Sequence, residues 1–213
     1  MIRIITIERE YGSGGGVIAQ KLATRLDWQL WDQLLTDEIA REAKCKRAEV
    51  ERREERVDPM YYRLFKSVLR GSFEGSLNVH RLHLLDADSI LSITKGIVEK
   101  TAASGNSVIV GRGAQHFLQT RDDTLRIFLY ASKEAKVKRL IADGVSSSEA
   151  DDLAETVDNE RAAFIDKYFH MPWPNRPLYH AMLNTDAGDD AVIRTILFLK
   201  DSFGQSRGES EAP

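Results

Sequence analysis

Cysteine and proline are scarce in this chain, with one cysteine and five prolines in 213 residues. The lone thiol, Cys45, cannot close an internal disulfide, which excludes a disulfide-stapled scaffold and favours a reducing compartment. No charge of one sign dominates. Thirty Lys and Arg face 33 Asp and Glu, for a formal net charge of −3 and a pI near 6.0, so there is no basic field to draw nucleic acid or an anionic membrane. No apolar run approaches the roughly 18 to 20 residues of a membrane span. The opening Met1-Ile2-Arg3-Ile4-Ile5 lacks the apolar core of a secretory signal and soon meets Glu8-Arg9-Glu10. A cytoplasmic protein without nucleic-acid or membrane partners is expected. Of the histidines, His80 and His83 are one helical turn apart, but no third ligand completes a metal site.

What is present is an ordinary globular composition, 42% hydrophobic and 30% charged, enough for one domain with a real core. That domain is expected over 1–204, with 205–213 a flexible polar tail. Ile4-Ile5-Thr6-Ile7 is a β-branched run suited to a strand buried on both faces. It stops at Gly12-Ser13-Gly14-Gly15-Gly16. From Val17 to Asp27 the apolar residues follow a helical period, and Leu30-Trp31-Asp32 makes a second short strand. This is a βαβ unit, whose crossover is right-handed. Residues 33 to 85 read as mainly helical, with a charged stretch from Lys44 to Arg56 and a flexible break at Gly71 to Gly75. A helix carrying Ile90, Ile93, Ile97 and Val98 leads to strand Ser107–Val110, which again ends in glycines, Gly111-Arg112-Gly113. Strand Leu125–Tyr130, helix Lys133–Ile141, a long helix from Ser147 to Tyr168, a proline-rich loop, strand His180–Asn184 and helix Ala191–Phe203 complete the chain. Strands alternating with helices predict an α/β fold: a five-stranded parallel sheet covered on both faces, with ligands at the carboxyl ends of the strands.

The first glycine turn fits two nucleotide sites. Glycines let successive backbone N–H groups and a helix N-terminus meet phosphate charge, as in a P-loop. Gly14-x-Gly16-x-x-Ala19 also satisfies a dinucleotide fingerprint, and Asp32 stands near the distance expected of its ribose-binding acid. About seventy residues between the second and third strands favour the kinase reading. So does Arg112 between two glycines, because guanidinium binds phosphate in a bidentate fork. Structural roles compete at several positions: Asp32 suits a helix cap, Arg161 beside Glu160 an exposed helix face, and Arg112 a pairing with an acid.

The segments Ile5-Thr6-Ile7-Glu8-Arg9-Glu10-Tyr11-Gly12-Ser13-Gly14-Gly15-Gly16, Val108-Ile109-Val110-Gly111-Arg112-Gly113-Ala114 and Asn159-Glu160-Arg161-Ala162-Ala163-Phe164-Ile165 resemble the cytidylate-kinase-like family of the P-loop nucleoside monophosphate kinases. The resemblance runs over roughly residues 2 to 200. It implies a P-loop nucleotide-kinase-like three-layer fold, a helical acceptor-binding insertion at 33–85 and a lid-like segment at 158–178. It also implies phosphoryl transfer from ATP, with Mg²⁺, to CMP or a related nucleoside monophosphate. Gly12, Ser13, Gly14, Gly15, Gly16 and Val17 would cradle the ATP phosphates, and Arg139 (or its neighbour Lys138) would lie near the ATP base. Asp32 opens the acceptor segment, Arg112 holds the acceptor phosphate, and Arg161 and Lys167 belong to the lid.

The glycine turn departs from a standard P-loop at two positions. Gly15 stands where the lysine would be and Val17 where the magnesium-binding hydroxyl would be. Arg9 is the candidate replacement cation, with Lys21 a second. Ser13, Asp32 or waters are candidate magnesium ligands. A nucleotide-binding regulator that has lost catalysis is the alternative reading.

Overall fold

The computed structural model describes residues 1–32, 34, 35, 37–39, 41, 42 and 87–208. The predictions for the rest of the 33–85 insertion, including Cys45, the Gly71–Gly75 break, His80 and His83, therefore lie outside the described residues, as does the tail from 209.

Every residue of Ile4–Arg9 (β1) is buried, which is possible only for a strand with neighbours on both edges and layers on both faces. β1 pairs in parallel with Ser107–Val110 (β3) on one side and Thr124–Tyr130 (β4) on the other. Gln29–Trp31 (β2) extends the sheet beyond β3, and Ala181–Asn184 (β5) extends it beyond β4. The order is β2-β3-β1-β4-β5. A dinucleotide-binding sheet would set the second strand beside the first. Here β3 takes that place, and the dinucleotide reading ends there.

Side chains alternate across β1 into two cores. Ile5 and Ile7 meet Ile18, Ala19 and Leu22 of helix Gly15–Leu26 (α1) and Val192, Ile193 and Ile196 of helix Asp189–Gly208 (α6). Ile4 and Ile109 face the other way. They meet Ile90, Ile93 and Val98 of helix Ala87–Ser104 (α2), Phe164 and Ile165 of helix Ser147–Phe169 (α5), and Leu35 and Ile39. The result is the three-layer α/β sandwich expected from the alternation of elements. Helix Lys133–Ala142 (α4) is capped by Ser132, whose Oγ accepts the Ala135 N–H. The cap of α5 is Ser146, one residue before the expected start: its Oγ accepts the Glu149 N–H and donates to the Glu149 carboxylate at 2.7 Å.

Two elements differ from expectation. Helix Ala114–Phe117 (α3) follows the second glycine cluster directly, and four residues are too few to show a helical period. Helix α6 runs to Gly208, past the expected end at Phe203.

On α3, His116 is buried and stacked on Phe169, with ring centroids 4.3 Å apart. Among the described residues, neither ring nitrogen has a hydrogen-bond partner. Burial therefore pulls its pKa from the ordinary 6.5 to about 4. The folded chain thus keeps this imidazole neutral where the unfolded chain takes a proton. Stability present above pH 6.5 is lost as the pH falls toward 4, by an amount on the order of 3 kcal/mol. His116→Phe keeps the stacked ring and removes the titration. Urea denaturation at pH 7 and pH 4.5 should show the wild type losing more stability than this variant, and equal losses would dismiss His116 as the acid-sensitive group.

Candidate active site

Because the chain leaves β1 toward β2 on one side, while β3 leads to β4 across β1, the switch point of the sheet lies between the carboxyl ends of β1 and β3, where sheets of this kind form their ligand crevice. Both glycine turns lie there. The first runs from Glu10 to Gly14, and Gly14, in the left-handed region at φ 76°, caps α1. In the second, Gly111, Arg112 and Gly113 are all left-handed, at φ 67°, 56° and 74°. Two glycines adopt this backbone without steric cost, but the arginine between them does not. Its turn throws the Arg112 side chain across to the end of β2, where Nη2 lies 3.5 Å from the Asp32 carbonyl oxygen.

Four of the residues singled out in the sequence meet in this crevice. Arg9, Arg112 and Arg161 are 4%, 2% and 2% exposed, and Asp32 is buried with them. The Arg9 guanidinium lies 3.8 Å from Asp32 Oδ1. Burial lowers the pKa of Arg112 to about 10, partly offset by Asp32, while Arg9, Arg161 and Asp37 act on it as well. Arg161 is likewise held down to about 10 by burial, with Arg9 working in the same direction and Asp158 and Glu8 against it. Both Arg112 and Arg161 stay charged at neutral pH, so the crevice concentrates positive charge at strand ends.

Arg161 is not an exposed helix residue. Its Nη1 donates to the Arg9 carbonyl at 2.9 Å and to Asp158 Oδ1 at 3.1 Å, and its guanidinium carbon stands 5.9 Å from the centre of the Tyr11 ring. Lys167 lies further along α5 with its ammonium 5.4 Å from the Tyr168 ring. Arg139 lies flat over Gly14, where a Cβ would come within 3.5 Å of its Nε. It donates weakly to the Gly12 and Thr185 carbonyls. Lys138 is exposed beside it, and Lys21 is engaged with Asp189 of α6 at 2.7 Å. The Ser13 hydroxyl is buried and donates to the Glu10 carbonyl at 2.8 Å. Gly15 opens α1, Gly16 follows, and Val17 is 55% exposed on its first turn.

Sequence reasoning missed the residues that hold this arrangement. Asp158 on α5 accepts the Tyr11 backbone N–H at 2.8 Å, Arg161, and Lys136 at 3.0 Å. Lys136 also reaches Glu10 at 3.2 Å. Burial opposes its charge, but Asp158 and Glu10 outweigh that and raise its pKa. Glu8, on the opposite face of β1 from Arg9, is buried beside Trp173 and Tyr179. Burial raises its pKa against the pull of Arg161 and Arg9. A carboxylate among the β-branched residues of a buried strand was the available signal for Glu8. Asp158 and Lys136 sit in helices rich in charge, where nothing marks them.

The parallel sheet, the glycine turn at its switch point and the buried arginines around it define a P-loop kinase-like protein. The model of the cytidylate kinase-like family matches residues 4–187, and the chain belongs to that family. An uncharacterized protein from Eubacterium ventriosum ATCC 27560 superposes with a TM-score of 0.62 at 24% identity, over 92% of this chain and 98% of that one. Shikimate kinase from Bacteroides thetaiotaomicron has a TM-score of 0.51 at 14% identity, over 94% and 99%. Shikimate kinase from Acinetobacter baumannii in complex with shikimate has a TM-score of 0.50 at 15% identity, over 95% and 94%. At these identities the likeness is one of fold. No curated protein matches the chain.

Removing the charge of Asp158 tests the support of the first turn. Asp158→Asn weakens the bond to Tyr11 and leaves Arg161 buried without its ion pair, at a cost of about 3 kcal/mol. Asp151→Asn, which breaks only the exposed pair with Lys133, should cost less than about 1 kcal/mol. Chemical denaturation of both variants checks this, and equal losses would remove Asp158 from its role.

Proposed function

We propose that the protein is an ATP-dependent nucleoside monophosphate kinase acting on CMP or a close relative. The observation that carries this is the convergence of Arg9, Arg112 and Arg161 on a glycine turn at the switch point of the sheet. Phosphoryl transfer needs positioning and charge neutralisation more than covalent chemistry. Backbone N–H groups of residues 12 to 17 and the N-terminus of α1 receive the donor phosphates. Arg112 anchors the acceptor phosphate, Arg139 lies toward the ATP base, and Arg161 and Lys167 contribute positive charge from the lid-like segment 158–178. The bond between the γ-phosphorus and the β,γ-bridging oxygen breaks, ADP leaves with its electron pair, and an acceptor phosphate oxygen bonds to phosphorus. That oxygen is already anionic, so no general base is required.

The residues present fit Mg²⁺ in a limited way. Val17 has no donor atom, and the Ser13 hydroxyl is buried and committed to Glu10. Among the described residues, no cluster of three acidic, histidine or cysteine side chains could hold a metal ion. Asp32, at the strand ends, is the protein group that fits, and Mg²⁺ would otherwise keep phosphate oxygens and waters. When bound, the ion neutralises charge on the donor phosphates. The absent lysine at Gly15 and the apolar Val17 also favour a second reading, a nucleotide-binding regulator of the same fold.

A coupled ADP-release assay with ATP and Mg²⁺ separates these readings across CMP, dCMP, UMP, AMP and GMP, with shikimate as a control acceptor. Release accelerated by one monophosphate is the expected result. Arg112→Ala should raise the apparent KM for that acceptor about 10- to 100-fold, the worth of a charge-assisted hydrogen bond, with ATP affinity little changed. ATP binding without acceptor-dependent release would establish the regulator instead.

A further inference from the structure

Gly15 takes its place at the first position of α1 with no left-handed backbone to require a glycine. Space requires it. A Cβ at position 15 would stand 2.8 Å from the Cβ and 2.9 Å from the Cγ of Arg9, closer than side chains tolerate. At the other glycine turn, a Cβ at Gly111 would overlap Nη1 of the same Arg9. One side chain therefore runs from the end of β1 beneath the donor turn to the acceptor turn, and both turns lack a side chain where it passes. Its guanidinium ends near Asp32, inside the crevice between β1 and β3.

We infer that Arg9 is the donor-phosphate cation of this enzyme, a catalytic residue that takes the station of the P-loop lysine from the strand side rather than the helix side. This deepens the kinase reading above and rests on it. The two glycines and the arginine form one steric unit. A lysine at position 15 and an arginine at position 9 clash as the chain stands, because their first side-chain carbons would be only 2.8 Å apart. The exchange also changes the chemistry. An ammonium on a flexible stem is a point charge, whereas a buried guanidinium held by Asp32 presents a fixed fork that can engage two phosphate oxygens at once. Held between the two turns, the fork is positioned to touch the transferring phosphoryl, where charge builds up as the bond to the β,γ-bridging oxygen lengthens.

The experiment compares Arg9→Met, Gly15→Ala, Gly15→Lys, Arg9→Gly and the double variant Arg9→Gly/Gly15→Lys. Readouts are ADP release with the preferred acceptor, thermal midpoint, and the ratio of ATP to AMP affinity by calorimetry. Arg9→Met should lower kcat 10²- to 10³-fold with a much smaller change in the acceptor KM, and should narrow the preference for ATP over AMP at least tenfold. Gly15→Ala and Gly15→Lys should lose both activity and thermal midpoint. The double variant should recover at least tenfold over Arg9→Gly alone, since lysine then has the vacated space. Arg9→Met with wild-type kcat and wild-type ATP preference would overturn the assignment. Gly15→Ala as stable and active as wild type, or a double variant no better than Arg9→Gly, would overturn the shared-station argument. Should the wild type bind ATP and transfer nothing, the kinase reading fails by itself, and the ATP-to-AMP ratio in Arg9→Met still decides the role of Arg9. A wild type that binds no ATP would end both.

Discussion

Burying three guanidinium groups at the carboxyl ends of parallel strands is the constraint around which the rest of this molecule is arranged. Each buried charge must meet an opposite charge or a carbonyl oxygen, because an isolated ion in a protein interior costs several kcal/mol even after relaxation. Arg9 meets Asp32, Arg112 reaches the Asp32 carbonyl, and Arg161 meets Asp158 and the Arg9 carbonyl. Burial still lowers the pKa of Arg112 and of Arg161, against the pull of Asp32 on the one and of Asp158 and Glu8 on the other. Phosphate groups entering the crevice would add negative charge beside these guanidinium groups, which links the electrostatics of the fold to its proposed ligand.

Helix α5 holds both glycine turns. Near its middle, Asp158 takes the Tyr11 N–H and Arg161 reaches the end of β1. At its last residue, Phe169 packs against Gly113, where a Cβ would stand 2.8 Å from the ring, and stacks on His116. The first turn is also closed from the side of α4, where a Cβ at Gly12 would stand 3.0 Å from the Lys136 carbonyl oxygen. Both glycine turns are thus fixed by the same helix. The proposed transfer would find its charges in place before substrate arrives. Within the segment 158–178, Arg161, Phe164 and Ile165 are buried. Trp173 in that stretch packs edge-on against Phe128 of β4, so even there the aromatic residues serve the core.

The layers and the place of the glycine turns were legible in the pattern of residues. Runs such as Ile4–Ile7 and Ser107–Val110 are apolar on both faces and end in glycine, which forces buried parallel strands with turns at one end of the sheet. Arg112 between two glycines marked the second turn as a candidate phosphate site, and the lack of a lysine at Gly15 made Arg9 the candidate cation. Tertiary structure alone decided the rest. Whether β2 or β3 lies beside β1 depends on long-range pairing that no local pattern encodes, and it separated a kinase sheet from a dinucleotide sheet. Asp158, Lys136 and Glu8 became meaningful only when residues more than a hundred positions apart came within hydrogen-bonding distance. The reason for Gly15 was likewise invisible in one dimension. Its backbone needs no glycine, and only packing against Arg9 reveals that the space was already filled.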